Sequence, residues 1–285
     1  MKVIETIKEM QTYSESLRLM GKKIAFVPTM GYFHEGHIAL MKEAKKMADC
    51  VVVSIYVNPT QFGPKEDLSK YPRDFYRDLK MAESVSVDVI FYPPDNEMYP
   101  ANYQTYVNVD RVTQNLCGIS RPTHFRGVTS ICLKLFNIVK PHFAIFGKKD
   151  FQQYTAIKRM VADLNLDLQI IGLPTVREAD GLAMSSRNVF LKENERLSAL
   201  TLVGGLKLAQ KLYDVGERKA VVIIREVEKN IKRADSTNID YIKICDTATL
   251  DDVDEIKSQA VIALAVIVGA TRLIDNHVFG EELKA

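Results

Sequence analysis

Lys23-Ile24-Ala25-Phe26-Val27-Pro28-Thr29-Met30-Gly31-Tyr32-Phe33-His34-Glu35-Gly36-His37 is the stretch on which the fold turns. Its first five residues form a short apolar run of β character, and Pro28 is expected to stop it, because proline lacks the next ladder donor. A glycine-bearing loop follows, and residues 38–48 then repeat apolar side chains at helical spacing. Directly after comes Cys50-Val51-Val52-Val53-Ser54-Ile55-Tyr56-Val57, almost continuously apolar and ended by Asn58-Pro59. A run with so little polar alternation predicts a strand buried on both faces, as in a parallel sheet.

The same rhythm of helix and strand recurs outward from this stretch. Residues 72–84 have helical spacing before the strand-like run 87–92, residues 128–139 before 143–146, and residues 151–163 before 168–173. Upstream, Ile4, Ile7, Met10 and Leu17 predict a helix over 3–20, with Gly21 at its C-terminal end. The fold class is therefore α/β, a Rossmann-like parallel sheet with helices on both faces. Ligands of such sheets sit beyond the carboxyl ends of the strands.

After residue 176 the grammar changes. Leu202, Leu206, Ala209 and Tyr213 make one helical face, 220–234 a second helix, and 239–245 and 260–268 two strands. This predicts a smaller C-terminal α+β domain, with a division into 1–176 and 177–285 and the second part acting as a lid.

Composition narrows the class of molecule. The 285 residues are 47% hydrophobic and 26% charged, which suits a globular chain and excludes fibrous and disordered classes. A net charge of +2, from 38 basic and 36 acidic side chains, gives no electrostatic footprint for nucleic acid. The apolar stretch 260–270 is too short to span a bilayer, and the opening MKVIETIKEMQTYSES lacks the apolar core of a signal peptide. Cys50, Cys117, Cys132 and Cys245 are scattered without a CxxC pair, which predicts reduced thiols and a cytoplasmic location.

Five loops carry candidate chemistry. His34 and His37 are three residues apart around Gly36, where a helix N-terminus attracts phosphate. The pair also reads as half of a metal site or as two surface histidines; a metal needs further ligands, and only His124, His142 and His277 remain as histidines. Asn58 and Gln61 offer amides that both donate and accept, although Asn58-Pro59 is also a plain turn signal. In Gly147-Lys148-Lys149-Asp150, a lysine can reach ligand phosphates and Asp150 can cap the next helix, while Gln153 follows close behind; paired lysines are also common solvated residues. Met184-Ser185-Ser186-Arg187-Asn188 gathers two hydroxyls and a guanidinium in what also reads as a linker of turn formers. The stretch from Arg121 to Gly127 reads first as a turn opening a helix. Asp74, Asp78 and Asp88 read as solvated charges in preference to a magnesium site.

Taken together, His34-Glu35-Gly36-His37 and Met184-Ser185-Ser186-Arg187 resemble the HIGH and KMSKS-like elements of the adenylate-forming nucleotidyltransferases. The longer strings PTMG (28–31), VNPTQF (57–62), GKKDFQQ (147–153), PTVRE (174–178), MSSRN (184–188) and TRLIDN (271–276) resemble the pantoate–β-alanine ligase family, also called the pantothenate synthetase family. That resemblance implies condensation of (R)-pantoate with β-alanine, with ATP split to AMP and pyrophosphate in the presence of Mg2+. It implies that Pro28, Thr29, Met30, Gly31, His34, Gly36 and His37 line an ATP site, with His37 as proton donor and His34 at the phosphates. Gly147, Lys148, Lys149 and Asp150 are implied as further ATP contacts with Lys149 catalytic, and Val176, Met184, Ser185, Ser186 and Arg187 complete the set. Asn58, Gln61 and Gln153 are the implied substrate ligands, Gln61 and Gln153 for pantoate and Gln61 for β-alanine as well. The resemblance leaves the metal ligands unknown, and the implied assembly is a homodimer. Phe33, Phe151, Thr123 and Cys117 depart from the family's usual leucine, tyrosine, glycine and acid; the Thr123 change leaves the geometry of the Arg121 loop open.

The expected mechanism needs no protein nucleophile. Pantoate carboxylate attacks the α-phosphorus, and the β-alanine amine then displaces AMP, with His34, His37, Lys149, Ser185, Ser186 and Arg187 supplying donors where charge builds. Two rival enzymes are an adenylyltransferase acting on a phosphorylated precursor, which the Gln61 and Gln153 strings disfavour, and an aminoacyl-tRNA synthetase, for which no anticodon domain is evident. A regulatory protein that has lost catalysis is disfavoured because every proposed donor is retained.

Overall fold

A computed structural model describes residues 1–64 and 66–283. In chain order the strands are β1 (Lys2–Ile4), β2 (Ile24–Thr29), β3 (Cys50–Ile55), β4 (Val89–Phe91), β5 (Phe143–Gly147), β6 (Gln169–Leu173), β7 (Thr237–Asp246), β8 (Ala260–Val268) and β9 (Thr271–Val278). The helices are α1 (Ile7–Leu19), α2 (Glu35–Met47), α3 (Phe75–Ser84), α4 (Asp95–Met98), α5 (Cys117–Ser120), α6 (His124–Val139), α7 (Phe151–Asp163), α8 (Glu193–Asp214) and α9 (Ala220–Ile231).

The chain forms two compact units. The first comprises Met1–Asp110, Arg121–Lys148 and Ala156–Leu173; the second comprises Arg111–Ser120, Lys149–Thr155 and Pro174–Ala285. Segments 111–120 and 149–155, which a division at 176 assigns to the N-terminal part, group instead with the C-terminal part.

In the first unit six strands run parallel in the order β1-β4-β3-β2-β5-β6. The alternation of side chains along a strand explains its two covered faces. Ala25 and Val27 of β2 and Val51 and Val53 of β3 pack with Ile38, Met41 and Ala44 of α2. The intervening Phe26 turns the other way and meets Phe136 of α6 edge to face, with ring centroids 6.4 Å apart.

Two expectations for this unit are corrected. The predicted helix over 3–20 is two elements, because residues 2–4 pair with β4 before α1 begins. Pro28 does not end β2: the strand continues beside β3 through Pro28↔Ser54 and Thr29↔Ile55. Thr29 O accepts from Tyr56 N on the β3 side (3.1 Å). Alternate residues of a strand address alternate neighbours, so Pro28 faces β5, where its missing N–H stops the ladder. The register of β2 with β5 accordingly ends at Phe26↔Ala144. This is also where the strand order reverses direction, the position at which open α/β sheets hold their ligands.

The second unit contains a three-stranded antiparallel sheet, β7-β8-β9, with α8 and α9. Its core joins Leu202, Leu206, Ile223 and Val227 of the helices to Ile262, Leu264 and Val266 of β8. Strand β9 has no counterpart in the sequence reading, since its polar residues mask any alternation.

No helix among the described residues is long and apolar enough to cross a membrane. All four cysteines are free and buried. Burial pushes the Cys132 thiol up to about 12, and burial with a nearby aspartate pushes Cys50 up to about 11 and Cys245 to about 12. Thiols held in the protonated form react slowly. A disulfide-exchanging thiol reagent at neutral pH is therefore expected to label essentially no cysteine in the native protein and all four after denaturation; rapid native labelling would contradict this packing.

Candidate functional site

In the first unit, the loop after β2 is pinned by one carboxylate. Asp78 of α3 is 1% exposed and accepts from Tyr32 N (2.6 Å) and Phe33 N (2.7 Å). Burial pushes its carboxyl above the ordinary aspartate range, against the pull of those two N–H bonds. Its sequence reading as a solvated charge is corrected, because an amphipathic helix gives no sign that one acid turns inward. Gly31 supports the same turn: its φ is +79°, and a Cβ there would lie 3.0 Å from both Asp78 Oδ2 and Ile55 Cγ2. Thr29 Oγ1 donates to Ser54 O (2.6 Å) and accepts from Gly31 N (3.1 Å).

The two histidines close the first turn of α2. His34 is the N-cap, its Nδ1 accepting from Gly36 N (3.1 Å), and His37 Nδ1 accepts from His34 N (3.2 Å). Their rings lie 4.1 Å apart, and the His37 ring is 5.5 Å from that of Phe33, which is fully buried. A ring nitrogen that accepts an N–H carries no proton, so each neutral imidazole bears its hydrogen on Nε2. The arrangement presents hydrogen-bond donors at a helix N-terminus, a setting for phosphate. Among the described residues no group of three or more His, Cys, Asp or Glu side chains is placed to hold a metal ion.

The turn after β3 brings Asn58 and Gln61 together: Asn58 Nδ2 donates to Gln61 Oε1 (3.0 Å) and to Gly127 O (3.2 Å), with Asn58 1% and Gln61 8% exposed. Gln61 Nε2 is directed at Met30 Sδ (3.1 Å), a weak acceptor that a carboxylate or hydroxyl would outcompete. Tyr99 OH donates to Asn58 Oδ1 (2.8 Å). From the other side Arg121 and His124 both donate to Gln61 O (3.3 and 2.9 Å). Arg121 is in turn paired with Glu66; although burial works against it, this guanidinium holds the Glu66 carboxyl below the ordinary range. The Arg121 stretch is thus a turn that opens α6 and also grips the glutamine. Thr123, at φ −96° and ψ −9°, needs no glycine. A cavity of about 340 Å3 in the same unit is lined by Met30, Gly31, Tyr56, Arg73, Asp78 and Asp95, among others.

In the second unit, Lys149 and Asp150 belong to the short turn Lys148–Asp150 that leads into α7. Gln153 is half-buried in the first turn of α7. Its neighbour Gln152 is structural, donating to Val112 O and Asn115 O and accepting from Cys117 N. Val176 and Met184 face each other across a small hairpin closed by Met184 N to Val176 O (3.0 Å) and a bridge between Arg177 and Ala183. Ser185 caps the turn Ser186–Phe190 by accepting from Arg187 N (3.3 Å), and Ser186 is 8% exposed. Asn188 fastens this turn, donating to Glu178 Oε1 (2.6 Å) and Ala183 O (3.1 Å).

Several supporting residues escaped the sequence reading. Arg177 and Asp275 form a bidentate pair (2.6 and 3.1 Å) with both side chains 2% exposed. Both lie in strings singled out above, but no spacing in one sequence links residues so far apart. Gly127 and Asn276 likewise lie in stretches named above without any sign of their distant partners, and Tyr99 carries no local signal.

The model of the family described as pantoate-beta-alanine ligase matches residues 2–278. A pantothenate synthetase of Syntrophus aciditrophicus is 65% identical over 283 residues, 99% of each chain, and one of Thermotoga petrophila is 54% identical over 98% of this chain and 100% of its own. Among solved structures, a pantothenate synthetase of Thermus thermophilus is 38% identical with a TM-score of 0.92, over 97% of this chain and 99% of that one. A Francisella tularensis pantoate-beta-alanine ligase complexed with beta-gamma ATP and beta-alanine is 32% identical with a TM-score of 0.80, covering all of both chains.

The tightness of the Asn58–Gln61 turn is open to test. A Cβ on Gly127 would sit 2.5 Å from Thr60 O and 2.6 Å from Gln61 N. Gly127→Ala is expected to lower the unfolding free energy by about 1–3 kcal/mol, read as a lower urea midpoint. An unchanged midpoint would show that the turn yields without cost.

Proposed function

We propose, because the chain belongs to the pantoate-beta-alanine ligase family, that it joins (R)-pantoate to β-alanine through a pantoyl-adenylate, releasing AMP and pyrophosphate. It is an ATP-dependent ligase. The observation that carries the reading is the pair of cap-locked imidazoles at the N-terminus of α2, whose Nδ1 atoms accept backbone N–H bonds, together with a glutamine whose Nε2 is directed at a thioether sulfur.

In the first step a pantoate carboxylate oxygen attacks the α-phosphorus, the bond to the β-phosphate oxygen breaks, and pyrophosphate leaves with the electron pair. In the second, the amine of β-alanine attacks the acyl carbon, AMP leaves, and the amine loses a proton. We assign Gln61 and Gln153 to pantoate, with Asn58 orienting Gln61, and His34 and His37 to the phosphates, where their N–H dipoles oppose developing negative charge. Pro28, Thr29, Met30, Gly31 and Gly36 bring backbone close to the nucleotide. We assign Lys149 to the transferring phosphate, and Gly147, Lys148, Asp150, Val176, Met184, Ser185, Ser186 and Arg187 to ATP. Magnesium enters on the nucleotide as part of the substrate, because it favours phosphate oxygens and water.

Four buried free thiols support a cytoplasmic location, and the family resemblance supports a homodimer. Sedimentation is expected to give twice the 32.2 kDa of one chain; a monomer would refute the dimer.

The activity test mixes enzyme, magnesium, ATP and pantoate without β-alanine and follows pyrophosphate in a single turnover. Release is expected, with AMP freed only when β-alanine is added. Lys149→Ala is expected to slow release by about 100- to 1000-fold; a normal rate would remove Lys149 from the chemistry.

A further inference from the structure

Strand β9 buries three consecutive polar residues, of which Asp275 is 3% and Asn276 8% exposed. Buried polar groups must be paired, and successive side chains of a strand project to opposite faces, so two neighbours can hold two separate segments. Asp275 takes both Arg177 nitrogens, and Arg177 donates a third bond to Gly181 O (3.2 Å). This fixes the hairpin that runs into Met184 and Ser185. Asn276 reaches elsewhere: its Nδ2 donates to the backbone carbonyl of Lys149 (2.7 Å), 127 residues away in the chain. Its own N–H is given to Asp275 Oδ1 (2.9 Å), which couples the two grips.

A lysine ammonium rides on a flexible four-carbon stem, so where it can act depends on how firmly its backbone is held. We propose that Asn276 is a positioning residue for Lys149, setting the backbone from which the ammonium reaches the transferring phosphate. The chemistry calls for an amide. A carboxylate at this position would face the Lys149 carbonyl with like partial charge, and an aliphatic side chain would leave it without this donor. The proposal rests on the ligase reading and on the role assigned there to Lys149.

The test is a double-mutant cycle on single-turnover pyrophosphate release at saturating magnesium ATP and pantoate. Asn276→Ala is expected to slow release by about 10-fold in the native background while leaving the KM for pantoate within about 2-fold. In the Lys149→Ala background the same substitution is expected to change the residual rate by less than about 2-fold, because a residue acting through Lys149 has nothing left to position. Equal slowing in both backgrounds, or no slowing in the native one, overturns the proposal. Should Asn276→Ala be recovered unfolded, Asn276→Ser keeps a shorter donor and carries the same cycle. A wild-type protein that releases no pyrophosphate would instead defeat the ligase reading, so the two failures are distinguishable.

Discussion

The first unit depends on a hydrogen bond that proline cannot make. Pro28 stands on the side of β2 that faces β5, and without its N–H the two strands part after Phe26. The β3 side keeps its pairing to Thr29. One strand thus belongs to a continuous sheet along one edge and lines an opening along the other. The loop that carries His34 and His37 leaves from that opening, where strand ends and helix N-termini expose unpaired backbone N–H groups.

What holds the polar groups in place is mostly backbone, gripped from a distance. Asp78 takes two successive N–H groups of the histidine loop, Arg121 and His124 take the carbonyl of Gln61, and Gly127 lets α6 approach the Asn58–Gln61 turn. The histidines spend their Nδ1 atoms on the cap of α2. Side chains whose tautomer and rotamer are fixed in this way lose little freedom when a ligand arrives, which is how a site stabilises a transition state without reorganising.

The sequence made the central strands and the principal loops legible for physical reasons. Residues 50–57 stand out because burial on both faces removes polar alternation, and the strings around His34, Lys149 and Ser185 stand out because they follow strand ends. β1 was hidden because Ile4 fits the spacing of the helix that follows, and three residues are too few to display a period of two. β9 was hidden because it spends Arg272, Asp275, Asn276 and His277 on polar contacts. Asp78 looked solvated because the inward turn of one acid is a tertiary fact. The pairings of Arg177 with Asp275 and of Asn276 with Lys149 join distant stretches, and only the folded chain brings them together.

The pair of Arg177 and Asp275 also constrains how this chain can change over generations. Each charge is almost wholly removed from water and is tolerable there only beside the other. Loss of either one alone strands a buried ion at about 3–5 kcal/mol, a large share of the roughly 5–15 kcal/mol that keeps a typical protein folded. A lineage can therefore leave this arrangement only by exchanging both residues within a short interval or by first acquiring stability elsewhere. Two stretches that never meet in the written sequence are thereby bound to a shared history.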